Sequence, residues 1–311
     1  MRTLVTGATG FVGRELINTL DNVCCVIRKN QKHAFDISYE VESIDGGTLW
    51  TDECLSVDVI VHLAGIAHDK SCSLEKYISV NTDGTLKLAR DAALKGVKRF
   101  VFVSSIGVNG SFTNDKPFRP DSNASPHNAY AYSKYMAELG LQKIQSDTGM
   151  EVVIVRPTLV YGVGARGNFG MLTKLIEYFP ILPFGLTNNR RDFISVKNLA
   201  SLLNECVYNP NAVGHIFLAS DMNAVTMKQF TQTIAKSLGK VNIQLPVPIS
   251  IMRFFGKVTG KSSVVEQLVG NLEVDSSNVI DVLGWTPPYT MEESMNSLSN
   301  KNDREKNDPF N

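Results

Sequence analysis

Five short runs of nearly unbroken hydrophobicity mark the first half of the chain: Thr3–Thr6, Val23–Ile27, Val57–Leu63, Phe100–Ser104 and Val152–Val155. Each is rich in Val, Ile or Phe and too short for a helix, the pattern of strands covered on both faces. Helical stretches separate them at Phe11–Leu20, Val80–Lys95 and Ala129–Ser146. In the last, Met136, Leu139, Leu141 and Ile144 fall at helical spacing, and Gly149 ends the run. Strands alternating with helices predict a doubly wound parallel sheet with right-handed crossovers.

After Arg156-Pro157 the pattern changes. Gly162, Gly164, Gly167 and Gly170 crowd a loop, and a helix from about Met171 to Tyr178 stops at Pro180 and Pro183. Strand-like runs at Asp192–Val196 and His215–Leu218 predict a return to the sheet. The rest reads as mostly helical, from Thr226–Leu238 to Met291–Leu298, and residues 300–311 form a polar tail expected to fray. This predicts an α/β protein of two parts. Residues 1–157 with about 190–218 form the sheet domain; about 158–189 and 219–299 form a smaller, mostly helical lobe.

Composition narrows the function classes. Lys+Arg and Asp+Glu both total 31, so no basic surplus favours nucleic acid as partner. The five cysteines show no C-x-x-C spacing and read as reduced thiols of a cytoplasmic protein. No metal-ligand pattern is read. No apolar stretch reaches spanning length, so no integral membrane segment is expected. Leu245–Phe255 is apolar but carries Pro246, Pro248 and Arg253; it reads as a loop entering an amphipathic helix, with a membrane-surface role as the alternative.

Gly7-Ala8-Thr9-Gly10-Phe11-Val12-Gly13 joins the first strand to the first helix. Glycines there permit a tight turn and let backbone approach a pyrophosphate, and the helix start offers free N–H groups. Three glycines alone are a common turn; the strand–turn–helix context points to a dinucleotide. At the end of the second strand, where NAD proteins often carry a carboxylate for the ribose 2′-OH, stand Arg28 and Lys29. A cation there suits a 2′-phosphate, which favours NADP(H) over NAD(H); the plainer reading is two solvated surface charges.

Tyr130 and Lys134 open a helix four residues apart and share one face. A phenol has a pKa of about 10, and a nearby ammonium is expected to lower it. Tyr130 can then exchange a proton with a carbinol or carbonyl oxygen, with Lys134 also holding the nicotinamide ribose. Ser104-Ser105 ends a strand on the usual ligand side of a parallel sheet. Each feature alone is more often plain helix surface or a turn.

Together these residues resemble the extended short-chain dehydrogenase/reductase family, with its Rossmann sheet, and in particular its nucleotide-sugar epimerases, dehydratases and 4-ketoreductases. The shared motifs run in order through nearly the whole chain. They are the glycine loop, His62-Leu63-Ala64-Gly65, Asn81-Thr82-Asp83-Gly84-Thr85, Val103-Ser104-Ser105, Tyr130-x-x-x-Lys134, Arg156-Pro157, Val160-Tyr161-Gly162 and Arg191-Asp192-Phe193-Ile194. The resemblance makes Ser105, Tyr130 and Lys134 catalytic. It places Gly7, Thr9, Gly10, Phe11, Val12, Gly13, Arg28, Ile44, Leu63, Ala64, Gly65, Asn81 and Pro157 at the cofactor with Tyr130 and Lys134. It puts Arg191, Asn168 and Ser105 at a UDP-sugar, with Arg191 on the diphosphate and Leu182-Pro183-Phe184-Gly185 beside the base. Arg191 paired with Asp192 is the plainer alternative. Gly164-Ala165-Arg166-Gly167-Asn168-Phe169 with Asn189-Arg190-Arg191 resembles a bacterial subgroup linked to surface polysaccharide. A helical homodimer is a family expectation.

Three positions depart from the family pattern. Arg28 replaces an acid, Ser43-Ile44 stands where an Asp often precedes an aliphatic residue, and Asn198 replaces a frequent acid. The catalytic residues serve an NADPH-dependent 4-ketoreductase and an NAD-dependent 4-epimerase alike. Ile106-Gly107 after Ser105 lacks the Asp-Glu pair of a dehydratase. A non-catalytic dinucleotide sensor on the same fold is the reading from another class.

Overall fold

A computed structural model describes residues 1–67, 71–165 and 167–298. The strands are β1 (Thr3–Thr6), β2 (Val23–Arg28), β3 (Ser38–Val41), β4 (Val59–His62), β5 (Arg99–Val103), β6 (Glu151–Pro157), β7 (Leu159–Tyr161), β8 (Ile181–Leu182), β9 (Phe193–Ser195), β10 (Ile216–Ala219) and β11 (Ile243–Gln244). The helices of the sheet region are α1 (Phe11–Leu16), α2 (Asp52–Leu55), α3 (Leu74–Tyr77), α4 (Thr85–Leu94) and α5 (Ala129–Thr148). Then follow α6 (Gly167–Tyr178), α7 (Val196–Tyr208), α8 (Met227–Ser237), α9 (Ile249–Val258), α10 (Ser262–Val269), α11 (Ser277–Leu283) and α12 (Met291–Met295).

Seven strands form one parallel sheet in the order β10-β6-β5-β4-β1-β2-β3. Successive side chains point to opposite faces, and the core divides accordingly. Val5, Cys25, Val61, Val101 and Val153 face α7 and α11, whereas Leu4, Cys24, Ile60, Phe100 and Ile154 face α4 and α5. Both sets are buried, which is why the strands read as continuous apolar runs. A third cluster, around Tyr161, Phe169, Phe193 and Phe230, holds the C-terminal region together; the Phe193 and Phe230 rings stack at 3.8 Å.

The structure departs from these expectations at four points. The run at Asp192–Val196 yields β9, which pairs with β7 in a separate two-stranded sheet and does not rejoin the main one. The edge strand β3 escaped the hydrophobic reading because it is half-buried to exposed. α6 begins at Gly167, earlier than Met171, because its first turn is Gly-Asn-Phe-Gly. The helix expected from Val80 is preceded by α3 and a π-wound stretch, Ile78–Gly84, that leads into α4. Such wide turns frequently mark functional sites. The expected tail at 300–311, and Arg166, lie outside the described residues.

No disulfide links the described cysteines, and Cys24, Cys25, Cys54 and Cys206 are buried. No described helix is long and apolar enough to cross a membrane, and no group of three or more described His, Cys, Asp or Glu could hold a metal.

Candidate active site

The carboxyl edge of the parallel strands gathers most of the expected residues. Gly7 turns out of β1 at φ +74°, and a Cβ there would stand 2.9 Å from the Ala64 nitrogen. Only glycine lets this turn lie on the Leu63-Ala64 backbone that leaves β4. The Gly10 N–H donates to the Gly7 carbonyl at 2.9 Å, and Gly10 has no side chain to cap α1 at Phe11. Val12 packs on the core and Gly13 is buried behind the turn. Thr9 Oγ1 accepts from Gln31 Nε2 at 2.7 Å, tying this turn to the end of β2. Arg28 stands exposed there, with no ion pair among the described residues, while Lys29 pairs with Glu42 at 3.3 Å.

Beyond β3, Ile44 packs against the core. Its neighbour Asp45 closes its own turn, accepting from Ser43 Oγ at 2.6 Å and Gly47 N at 2.9 Å. Those bonds hold the carboxyl below its ordinary range.

Gly65 is the meeting point of three elements. A Cβ there would stand 2.8 Å from Asn81 Oδ1 and 3.5 Å from Lys134 Nζ. Asn81 is fully buried in the π-wound stretch. Its Oδ1 accepts from Ile66 N at 2.8 Å, and its Nδ2 donates to Ile66 O and Ser133 Oγ, both at 3.0 Å. The amide therefore clamps the β4 loop to α5, and its remaining capacity is small. His62 sits below, between Thr6 Oγ1 at 2.8 Å and Thr85 Oγ1 at 3.0 Å. Complete burial, aided by the Lys134 charge, pushes its pKa down to about 3, so it stays a neutral strut.

Asn128 caps α5 by accepting from Ala131 N at 2.8 Å, which fixes the start of the helix that carries Tyr130 and Lys134. Lys134 is 3% exposed, donates to the Val103 carbonyl at 2.9 Å and lies 4.6 Å from the centre of the Phe102 ring. Burial pulls its pKa down to about 8, against the opposing charge of Glu138. Tyr130 is half-buried, its ring 6.3 Å from that of Tyr77. Burial pushes the phenol up to about 12; a hydrogen bond from Ser105 works downward and Tyr77 works upward. The depressed phenol expected from spacing is thus corrected: desolvation dominates, and the ammonium is aimed at the Val103 carbonyl. Ser105 is extended and its Oγ accepts from Gly107 N at 3.1 Å, capping a short turn. Ser104 Oγ beside it is buried with no hydrogen-bond partner among the described residues. Pro157 ends β6, buried and paired with Ala219.

Behind this set lies a network that sequence reasoning missed. Arg156 binds Glu138 through two nitrogens and donates to Asn109 Oδ1 at 2.9 Å. The available signal was Glu138, a charge one turn beyond Lys134 on the same face. Asn198 is also explained. Its Nδ2 donates to Asp221 Oδ1 at 2.7 Å, and Tyr161 Oη donates to Asp221 Oδ2 at 2.6 Å, so the acid comes from another loop.

Arg191 and Asn168 converge on a different strip. Arg191 is 8% exposed, and its Nη1 donates to the Gly270 carbonyl at 2.9 Å. Burial alone brings its pKa down to about 10; no carboxylate is among the causes. The pairing with Asp192 does not form: that carboxylate accepts from Val274 N at 2.9 Å, and burial raises it to about 6. The exposed Arg190 instead takes Glu273, at 2.6 Å. Asn168 is exposed and donates to Gln267 Oε1 at 3.4 Å. Thr113 N donates to Asn271 O at 2.9 Å, so the loop beyond Ser105 is stitched to the strip that holds Arg191. Leu182 and Phe184 point into the third core cluster.

These features define a Rossmann-like α/β fold that brings Ser105, Tyr130 and Lys134 to the carboxyl edge of its sheet. The model of the NAD dependent epimerase/dehydratase family matches residues 3–219, and the chain belongs to that family of enzymes. It is 40% identical over 301 residues to a UDP-glucose 4-epimerase of Vibrio cholerae, covering 93% of this chain and 92% of that protein. It is 27% identical over 310 residues, 94% of this chain and 92% of the other, to an N-acetyl-alpha-D-glucosaminyl-diphospho-ditrans,octacis-undecaprenol 4-epimerase of Escherichia coli O157:H7. The fold matches the crystal structure of UDP-glucuronic acid 4-epimerase from Bacillus cereus in complex with NAD. The TM-score is 0.76 at 19% identity, over 98% of this chain and 97% of that one.

Proposed function

We propose that the chain interconverts the C4 epimers of a UDP-sugar, with Tyr130 carrying the proton. Arg191 carries the reading. A buried guanidinium with one carbonyl partner and no carboxylate among the described residues calls for an anionic ligand, since a buried charge left unpaired is costly. Its planar fork suits the two phosphates of a sugar nucleotide. The relatives from Vibrio cholerae and Escherichia coli differ in the carrier, but both are named 4-epimerases of a diphosphate-linked hexose.

The glycine turn against Leu63-Ala64 and the close approach at Gly65 fit a dinucleotide, because each leaves room that a Cβ would fill. Gly7, Gly10, Gly13, Ala64, Gly65 and Pro157 would hold it, with Thr9, Phe11, Val12, Ile44, Leu63 and Asn81 shaping the walls. When bound, the nicotinamide supplies an acceptor and donor for the C4 hydride. Ser105 and Tyr130 bind the C4 oxygen. Tyr130 removes the hydroxyl proton as a phenolate and returns it as a phenol. The Ser105 bond favours the phenolate, against the desolvation that raises the phenol. Arg191 and Asn168 hold the diphosphate while the sugar turns. We assign 1–157 with about 190–218 to the cofactor and 158–189 with 219–298 to the substrate.

Arg28 favours a second reading, an NADPH-dependent 4-ketoreductase, because an exposed cation at the end of β2 without an ion pair suits a 2′-phosphate. One preparation separates the two. Retained NAD⁺, and formation of both C4 epimers from UDP-glucose without added cofactor, supports the epimerase. An absence of interconversion, with NADPH consumed only on a UDP-4-keto-sugar, sinks it in favour of the reductase.

A further inference from the structure

The outward face of α9 is apolar. Ile251, Phe254, Phe255 and Val258 follow at i, i+3, i+4 and i+7, and are 44%, 63%, 60% and 67% exposed. The Phe254 and Phe255 rings meet edge to face at 5.8 Å. On the inward face, Met252 packs on the third core cluster. Gly256 is buried, and a Cβ on it would stand 2.7 Å from Val265 Cγ2. The helix thus approaches its neighbour α10 through a glycine and turns its largest side chains to the outside. Single exposed apolar residues are ordinary, but four along one helical stripe, two of them aromatic, mark a contact surface.

Charge indicates what covers the stripe. The chain is formally neutral, yet from Met222 to Val265 it carries Lys228, Lys236, Lys240, Arg253, Lys257 and Lys261 and no carboxylate. The next acid, Glu266, is held by Arg253 at 2.7 and 3.0 Å. Lys257 and Lys261 are both exposed and four residues apart beside the stripe. Lysine stems can lie along apolar surface while their ammonium groups reach outward. An aromatic stripe rimmed by lysine is what an interfacial helix presents to anionic headgroups. A second copy fits less well, since two-fold pairing through the stripe would bring the same lysines of both copies together.

We propose that α9 docks this protein on the surface of an anionic bilayer, with Ile251, Phe254, Phe255 and Val258 entering the interface and Lys257 and Lys261 on the headgroups. The same helix lines a cavity of ≈ 550 Å³ through Ile249 and Arg253, together with Asn189 and Gly270 near Arg191. The proposal stands independently of the 4-epimerase reading.

The test is flotation of the full chain with phosphatidylcholine vesicles, with and without phosphatidylglycerol. The protein is expected to float with the anionic vesicles, less so in high salt. The Phe254→Ser/Phe255→Ser variant should partition at least about tenfold more weakly. The Lys257→Glu/Lys261→Glu variant should lose the preference for phosphatidylglycerol. Both should keep the thermal unfolding midpoint and the turnover of soluble substrate. Should the phenylalanine variant fail to fold, the lysine variant decides alone. No flotation of the unchanged protein, or equal flotation of a folded variant, overturns the proposal. So does a dimer, seen by light scattering, that the phenylalanine variant splits, because a second copy then covers the stripe.

Discussion

Arg156 grips both carboxylate oxygens of Glu138, Nε to Oε1 at 3.0 Å and Nη2 to Oε2 at 2.6 Å, with both side chains buried. A third arm reaches Asn109, which follows the short turn capped by Ser105. One ion pair thereby fixes the helix bearing Tyr130 and Lys134, the strand ending in Pro157 and the loop bearing Ser105. Its value lies in registering these three pieces, since a buried pair seldom adds much net stability.

Glu138→Gln keeps the shape and removes the charge. Arg156 is then left buried without its partner, at a cost of about 3–5 kcal/mol, measurable by urea unfolding. Glu138 also supports the charged form of Lys134. Its loss should move the titration of Lys134 to lower pH, seen as an acid shift of one limb of the kcat profile. A variant that is less stable but keeps its pH profile would reduce Glu138 to a purely structural role.

Tyr130→Phe removes the hydroxyl proposed to carry the proton and little else, since the ring contact with Tyr77 survives. Turnover should fall by about 10²–10⁴-fold while nucleotide affinity changes little. Ser105→Ala should also slow turnover and should raise the phenol further, because Ser105 is the group that lowers it. Unchanged turnover in Tyr130→Phe would remove this residue from the chemistry.

Much of this site could be read in sequence because its parts are local. The glycine turn, the strand ends and the four-residue spacing of Tyr130 and Lys134 each follow from backbone geometry over a few residues. The Glu138–Arg156–Asn109 network was not readable, since its partners lie 18 and 47 positions apart and meet only when β6 pairs with β5. The position of β9 was hidden for a related reason: hydrophobicity marks Phe193–Ser195 as a strand but does not name its partner. The pKa of Tyr130 depends on desolvation by the whole fold, which a helical spacing does not encode.

Lys134 makes stability depend on pH in a defined sense. Its folded pKa, about 8, lies below the ordinary 10.5, so the folded state releases its proton first. Below about 8 both states are charged and the full penalty of burying the ammonium applies. Between about 8 and 10.5 the unfolded chain holds more protons, and the Lys134 contribution to stability rises with pH. Lys134→Met lacks this term. Unfolding free energies of the two proteins should converge in the variant's disfavour across that window, by on the order of 1–3 kcal/mol. A constant difference would mean that Lys134 titrates at its ordinary value.

Arg28 tests the cofactor. An acid at the end of β2 can accept from a ribose 2′-OH and repels a 2′-phosphate. Arg28→Glu should therefore weaken NADP(H) binding by about tenfold or more and leave NAD(H) binding equal or better. Lys29 already pairs with Glu42 and is poorly placed to compensate. Equal affinities before and after the change would leave Arg28 a solvated surface cation.

Arg191 is the sharpest test of the substrate. With the Gly270 carbonyl as its side-chain partner among the described residues, its removal strands no carboxylate there, so Arg191→Ala should fold. The diphosphate loses a charge-assisted fork, and KM for the UDP-sugar and the inhibition constant of free UDP should both rise about 10–100-fold. kcat should change much less, because the diphosphate is bound alike in the ground and transition states. Arg191→Lys should recover part of the affinity, as one point charge cannot span two phosphates. A variant that loses kcat at unchanged KM would place Arg191 at the reacting sugar and not at the diphosphate.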